Sequence, residues 1–307
     1  MVQHRMRRVR LLAALTAVLT LLTGAPASAG PAMQFGLDVW NTADVPTFER
    51  KIGAKASIVG IYRDWVHSPD FPAGKAGAVR ANGGTLLIAW EPWDSWTAKE
   101  TDPNFTSAKI AAGRYDTYVQ RWAAQAKAYG GPVMIRLAPE QNGTWRPWSI
   151  GKPGNSPAEY IAMWRRVVNI FRTAGATNVQ WVWNPYVDVG GSTPMFASYP
   201  GDAYVTRIGL DGFNWGSTRP WGWQSYDDIF ASSVALLKAK APTRPWFIAE
   251  AASARGSKRA AWITDTVARA KRDGATALVW FEFNKETDWR LSNDPVGSAA
   301  LRQALAS

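Results

Sequence analysis

The sequence predicts an α/β protein folded as a single (β/α)8 TIM barrel, and three observations carry that expectation. Eight short β-rich runs alternate with helical patterns over about 250 residues. Several of the helices bring their own start and stop residues. Carboxylates and tryptophans collect at the C-terminal ends of the runs, where a barrel of this kind places its site.

The first four runs are 33-MQFGLDVW-40, 56-ASIVGIYRDW-65, 84-GTLLIAWE-91 and 132-PVMIRLA-138. The next four are 179-VQWVWN-184, 207-RIGLDGFNW-215, 245-PWFIAE-250 and 277-ALVWFEF-283. Helical periodicity is clearest over 115–130, 157–175, 225–241 and 257–274. Ser156 before Pro157, with Glu159 three positions on, reads as a capped helix start. Gly130, Gly175 and Gly274 read as helix ends. An open doubly wound sheet is the alternative, weakened because no glycine-rich nucleotide fingerprint follows the first strand.

At the run ends the residues sort as follows. Asp38 and Trp40 close the first and Asp64 and Trp65 the second, while Glu91, Trp93 and Trp96 follow the third. Glu140, Asn142, Trp145 and Trp148 follow the fourth; Trp215, Trp221 and Trp223 follow the sixth. Glu250 ends the seventh, and Trp280, Glu282 and Trp289 belong to the eighth and its loop.

Residues 1–29 stand apart from the barrel. Arg5, Arg7, Arg8 and Arg10 precede the apolar 11-LLAALTAVLTLL-22, and Ala27-Ser28-Ala29 offers a small-residue cleavage site. That pattern predicts a cleaved secretory signal peptide, the apolar run being too short for a permanent span. The expectation is a secreted, extracellular and monomeric catalytic barrel over 30–307, with no membrane contact after cleavage.

Composition excludes several chemistries. There is no cysteine, so thiolate sites and disulfides are absent and the fold must rest on a large core. The two histidines, His4 and His67, cannot build a Ser-His-Asp triad together with a multi-histidine zinc site. Neither metal nor cofactor is expected. The net charge is +11, four arginines of which lie in the leader. The remaining basic residues form no stripe among stacking aromatics, which argues against nucleic acid and for a solvated surface. Tryptophan is the abnormal count, at 18. Buried indoles need hydrogen-bond partners, whereas sugar rings stack on exposed ones, so the excess hints at a polysaccharide substrate.

Glycoside cleavage needs one carboxylic acid to protonate the leaving oxygen and a second carboxylate to attack or to activate water. Glu140 and Glu250 end the fourth and seventh runs, on different sides of the barrel mouth. They are the candidate acid/base and nucleophile. The indole-rich loop after Glu140 is expected to keep it protonated, while Glu250 needs donors, for which Arg136, Tyr62 and Arg63 are available. A loop carboxylate bridging to arginine is the bland alternative for each. Glu91 and Glu282 are rivals, and Asp211 reads as a structural partner. Trp122, Trp164 and Trp262 are expected in the core, and Trp181 and Trp246 in or around the barrel. Trp145, Trp148 and Trp280 are expected as sugar platforms.

Three stretches, 136-RLAPEQNGTWRPWS-149, 246-WFIAEAAS-253 and 279-VWFEFNKETDWR-290, resemble glycoside hydrolase family 26. The order and spacing of the strand runs extend the likeness over nearly all of 30–307. The Glu-x-Asn-Gly-x-Trp core is the specific part; Ala-Glu-Ala alone is weak. The resemblance implies a retaining glycosidase on β-linked polysaccharide, with Glu140 as acid/base, Glu250 as nucleophile and Trp280 stacking on sugar. Asn142, Trp145, Trp148, Trp215 and Arg136 complete the expected substrate-binding set. Mannan-cleaving members typically carry histidine before the acid/base, where this chain has Pro139, a form that looks more like members acting on mixed-linkage glucan. The first expectation is endo-β-1,4-mannan hydrolysis. A β-1,3-1,4-glucanase, an enzyme on a cell-wall polymer and a non-catalytic polysaccharide-binding barrel stay open.

Overall fold

In the computed structural model, which describes residues 33–97, 100–188 and 193–307, each of the eight β-rich runs forms a strand. The expected signal peptide lies outside the described residues. The strands are β1 (Gln34–Asp38), β2 (Ile58–Asp64), β3 (Thr85–Glu91), β4 (Val133–Leu137), β5 (Val179–Trp183), β6 (Arg207–Asn214), β7 (Trp246–Ser253) and β8 (Ala277–Phe281). Each pairs in parallel with the next, and β8 returns to β1, closing the barrel that the sequence predicts.

Helices α1 (Val45–Ile52), α2 (Ala73–Ala81), α3 (Ser107–Ala111), α4 (Asp116–Tyr129) and α5 (Pro157–Ala174) fill the first four crossovers. Ser156 and Glu159 form the full capping box at the start of α5, and Gly175 ends it with a left-handed φ of 77°. The fifth crossover has no α-helix among its described residues. Short 3-10 turns, Met195–Ser198 and Asp202–Tyr204, stand there instead. Helices α6 (Ser232–Lys240), α7 (Arg259–Asp273) and α8 (Pro295–Ala306) complete the ring. The helix expected over 225–241 begins with a π turn, Asp227–Ala231, which brings Asp228 and Ile229 to the barrel mouth. No described helix is long and apolar enough to cross a membrane.

Strand alternation divides the barrel interior into two levels. At the lower level Ile58, Leu87, Met134, Phe247, Ala249 and Val279 belong to one apolar cluster. Two or four residues further along, the same inward faces carry Tyr62, Glu91, Arg136 and Asn184. The chemistry therefore sits on an apolar plug.

Strand β7 breaks the rule. Phe247 and Ala249 share the interior cluster, so strict alternation would send Glu250 out to the helices. The register against β6 slips there: Leu210 pairs with Ile248, but Asp211 pairs with Glu250. One extra residue in β7 turns Glu250 back into the barrel, which is what a β-bulge does.

The tryptophan excess goes mostly into packing. Trp90, Trp122, Trp148, Trp164, Trp183, Trp262, Trp280 and Trp289 are among the largest fully buried side chains, and Trp181 and Trp246 are buried too. The core placement expected for Trp122, Trp164 and Trp262 is thus observed. Trp90 and Trp122 stack at 4.5 Å, and their indole N–H groups reach Tyr118 Oη and the Ser68 carbonyl. The indole nitrogens of Trp65, Trp183 and Trp262 find no partner among the described residues, so the rule that buried indoles are satisfied is broken three times there.

Candidate active site

The turn after β4 is strained where Glu140 emerges. Ala138 and Glu140 both have left-handed φ, 45° and 56°, on either side of Pro139. Such backbone persists only where its surroundings fix it. Here Tyr160 Oη donates to the Leu137 and Ala138 carbonyls, Trp148 Nε1 donates to the Pro139 carbonyl at 2.7 Å, and Glu140 N donates to the Asn184 carbonyl at 2.7 Å. The side chain is also held. Trp145 Nε1 at 2.8 Å and Arg146 Nε at 3.0 Å both donate to Glu140 Oε2. The indole crosses Gly143 so closely that a Cβ there would stand 2.5 Å from the ring. The surroundings of Glu140 thus include the indole expected from the sequence, together with a guanidinium that was not expected.

Glu250 is held from below. Tyr62 Oη donates to Oε1 at 2.7 Å, and Arg136 Nη1 reaches the same oxygen at 2.7 Å. Of the three donors the sequence offered, Arg63 is the one not used: it points along the opposite face of β2 and donates to the Tyr62 carbonyl. Glu140, Asp211 and Glu250 each present an oxygen within 4.8 Å of the other two. A cation could bridge such a set, but Arg136 and Arg146 already stand against Glu250 and Glu140.

Arg136 also faces two further carboxylates, Asp38 at 3.6 Å and Asp211 at 3.7 Å, both fully buried. Burial pushes the Asp38 carboxyl well above the usual carboxylate range; Arg136 opposes the shift and Glu250 adds to it. Burial and then the Glu250 charge do the same to Asp211, again against Arg136. Burial works against the charge of Arg136 itself, and the carboxylates of Glu250, Asp38 and Asp211 more than offset it. One guanidinium cannot neutralise three ionised carboxylates in a dry interior, so Asp38 and Asp211 favour their protonated forms.

Above these groups opens a cleft of about 1080 Å³, into which Glu140 and Glu250 both project. Trp145, one of the expected platforms, lines it, as does Trp215 of the expected substrate-binding set. Trp148 and Trp280 do not, and both are 0% exposed. Trp148 lies beneath the Glu140 turn and Trp280 beneath Trp289, whose carbonyl takes its N–H at 2.9 Å. The expectation of sugar stacking for these two is corrected: each brings an indole N–H to a buried carbonyl and has no free face. Asn142 is buried as well, exchanging hydrogen bonds of 2.9 Å with the backbone of Tyr186. Arg136 lies behind Glu250, out of the cleft lining. Both were expected to bind substrate and instead hold residues that face it.

The rivals separate by alternation. Glu91 points inward and lines the cleft, 3.6 Å from Arg146, with its carboxyl raised by burial against the pull of that cation. Glu282 points outward and accepts the Leu291 and Ser292 N–H groups, pinning the loop after β8. Arg146 and Tyr186 were passed over in the sequence, while Trp40 was placed at the rim without being given a role. Arg146 alone had a signal, since it stands inside the same short motif as Glu140.

Two facing glutamates in an open cleft at the C-terminal rim of a (β/α)8 barrel define the class of barrel glycoside hydrolases. The sequence profile of glycosyl hydrolase family 26 matches residues 101–293, and the chain belongs to that family. Endoglucanase H of Acetivibrio thermocellus is 39% identical over 271 residues, covering 86% of this chain. The match spans 29% of that relative's length. Among solved structures, an endo-β-1,4-mannanase of Cellulomonas fimi superposes with a TM-score of 0.69 at 18% identity, over 90% of this chain and 71% of that one. The β-mannanase BoMan26A of Bacteroides ovatus gives 0.66 at 14% identity, over 90% and 89%. At those identities the likeness concerns the fold.

Proposed function

We propose that this glycoside hydrolase cleaves a β-linked polysaccharide within the chain and with retention of anomeric configuration. Glu250 attacks the anomeric carbon while Glu140 passes a proton to the departing oxygen, giving a glycosyl-enzyme ester. Glu140 then takes a proton from water, the water attacks the same carbon, and Glu250 leaves as a carboxylate. The observation that carries this reading is the 4.8 Å limit on the gap between their nearest oxygens. Retaining pairs stand about 5–5.5 Å apart, and inverting pairs need about 6.5–9.5 Å to admit water. Both donors to Glu140 sit on Oε2, which leaves Oε1 as the oxygen to carry the proton. Tyr62 and Arg136 supply the donors that an attacking carboxylate requires. The open cleft supports attack inside a chain rather than at its end.

Two backbones fit the site. Mannan is the first expectation from the sequence, and the two superposed structures are mannanases. The relative at 39% identity is named an endoglucanase, and Pro139 stands where mannan-cleaving members typically have histidine. Those two observations favour β-glucan, with mixed 1,3-1,4 linkage the leading form and mannan the second reading. The leader sequence supports an enzyme that works outside the cell as the barrel 30–307.

Release of reducing ends from lichenan, barley β-glucan, mannan and xylan decides the backbone, and NMR of the first-formed anomer decides the stereochemistry. Release from a glucan or mannan with retained configuration is expected. Inverted product would remove the double displacement, and no release from any of the four would favour a binding barrel or a different polymer.

A further inference from the structure

Five tryptophans keep much of the indole in solvent: Trp40, Trp96, Trp145, Trp221 and Trp223. All five lie on segments that leave the C-terminal ends of β1, β3, β4 and β6. Trp96 is the most open, at 81% exposed, and it is not part of the cleft wall. Its neighbours Ser95 and Asp64 are.

The ring is nevertheless fixed. One face lies on the His67 imidazole, with centroids 3.7 Å apart and planes 24° from parallel. His67 is anchored by Asp64 Oδ1, which takes its backbone N–H at 2.8 Å and stands 2.9 Å from Nδ1. Asp94 Oδ1 takes the backbone N–H of Trp96 at 3.0 Å, and Ser95 Oγ donates to Asp64 Oδ2 at 3.1 Å. Asp64 therefore ties the loop after β2 to the loop after β3, with the two rings stacked between them.

An indole backed by His67 and otherwise open, on a loop that also carries the Asp94 carboxylate and the Ser95 hydroxyl, suits a ligand that is apolar on its face and polar at its rim. A pyranose ring has that character. A protein patch would need apolar surface beyond the single ring. The His67 stack restricts the side chain before any ligand arrives, which lowers the entropy lost on binding.

We propose that Trp96, backed by His67, is an outlying platform for a sugar residue of the glycan chain whose central part lies in the cleft. The inference rests on the polysaccharide reading above and extends the binding surface past the walls around Glu140 and Glu250. The platform contributes to holding long chains and nothing to the cleavage of short ones.

The test is Trp96→Ala, with Trp96→Phe as the conservative variant. Against lichenan, β-glucan and mannan, Trp96→Ala should raise KM by roughly three- to tenfold, the scale of one aromatic stacking contact. Its kcat/KM on a short aryl β-glycoside should equal that of the unsubstituted protein, and Trp96→Phe should recover part of the loss. Electrophoresis through gels containing each glycan reads binding without cleavage, and Trp96→Ala should be retarded less. Equal KM and equal retardation overturn the platform. An equal loss on the aryl glycoside overturns it too, since the change would then act through Asp64 on the cleft. If the unsubstituted protein cleaves nothing, the proposed function fails while retardation still judges the platform; no retardation in any glycan overturns both.

Discussion

Arg136 donates to Glu250 at 2.7 Å while Asp38 and Asp211 stand 3.6 and 3.7 Å from the same guanidinium. Of three carboxylates gathered around one buried cation, only Glu250 is within hydrogen-bond distance. The cation is thereby committed to the proposed nucleophile, and the two aspartates complete its enclosure without competing for it.

Arg136→Met should unfold the protein readily. It leaves carboxylates buried with no cation, a loss of about 3–5 kcal/mol. Urea titration followed by tryptophan fluorescence measures it, and a midpoint equal to that of the unsubstituted protein would contradict the assignment.

Tyr62→Phe keeps the ring and deletes one donor to Glu250. A hydrogen bond to a charged group contributes about 1.5–3 kcal/mol, so kcat should fall roughly ten- to a hundredfold. The same bond stands in the resting protein, so the thermal midpoint should fall as well, while KM should move little.

Glu250→Ala should lose essentially all turnover. Glu140→Ala should keep part of its activity on aryl glycosides whose leaving groups need little protonation. Equal collapse of Glu140→Ala on polysaccharide and on activated aryl substrates would argue against its acid role.

Gly143→Ala should act on the cleft alone. The added Cβ meets the Trp145 indole at 2.5 Å and must push it off Gly143, taking the donor from Glu140 Oε2. Expected is a drop in kcat on unactivated polysaccharide with circular dichroism and thermal midpoint nearly unchanged.

Asp38 makes stability depend on pH. Its carboxyl is raised in the folded state, so the fold binds that proton more tightly than the unfolded chain does. The contribution to stability is whole below the unfolded value, near about pH 3.9, and is lost as pH rises through the folded value. Asp38→Asn removes the titration. Its thermal midpoint relative to the unsubstituted protein should therefore improve as pH is raised from about 4, and a constant difference would count against burial of a protonated Asp38.

The strand order was legible because parallel barrel strands are short apolar runs between capped helices, and both signals are local. Ser156, Glu159 and Gly175 marked α5 to within a residue. Positions of Glu140 and Glu250 at the rim followed from counting strands. The fates of Trp148 and Trp280 did not follow, because a tryptophan just beyond a strand end looks the same whether its N–H meets a sugar or a buried carbonyl. The inward aim of Glu250 was also hidden. Period-two reading of 245-PWFIAE-250 places it with Trp246 and Ile248, and the slip that reverses it depends on how β6 pairs. Arg146 went unassigned since a guanidinium between Glu140 and Glu91 is a contact across two loops.

The extra residue at Ala249 lets the hydrophobic lower storey of the barrel and its working upper storey keep separate counts. The same residues paired with β6 without that slip would make a strand of respectable sequence with Glu250 aimed toward the helical shell. Anyone transplanting this catalytic rim onto another barrel would have to carry the irregularity along with the glutamates.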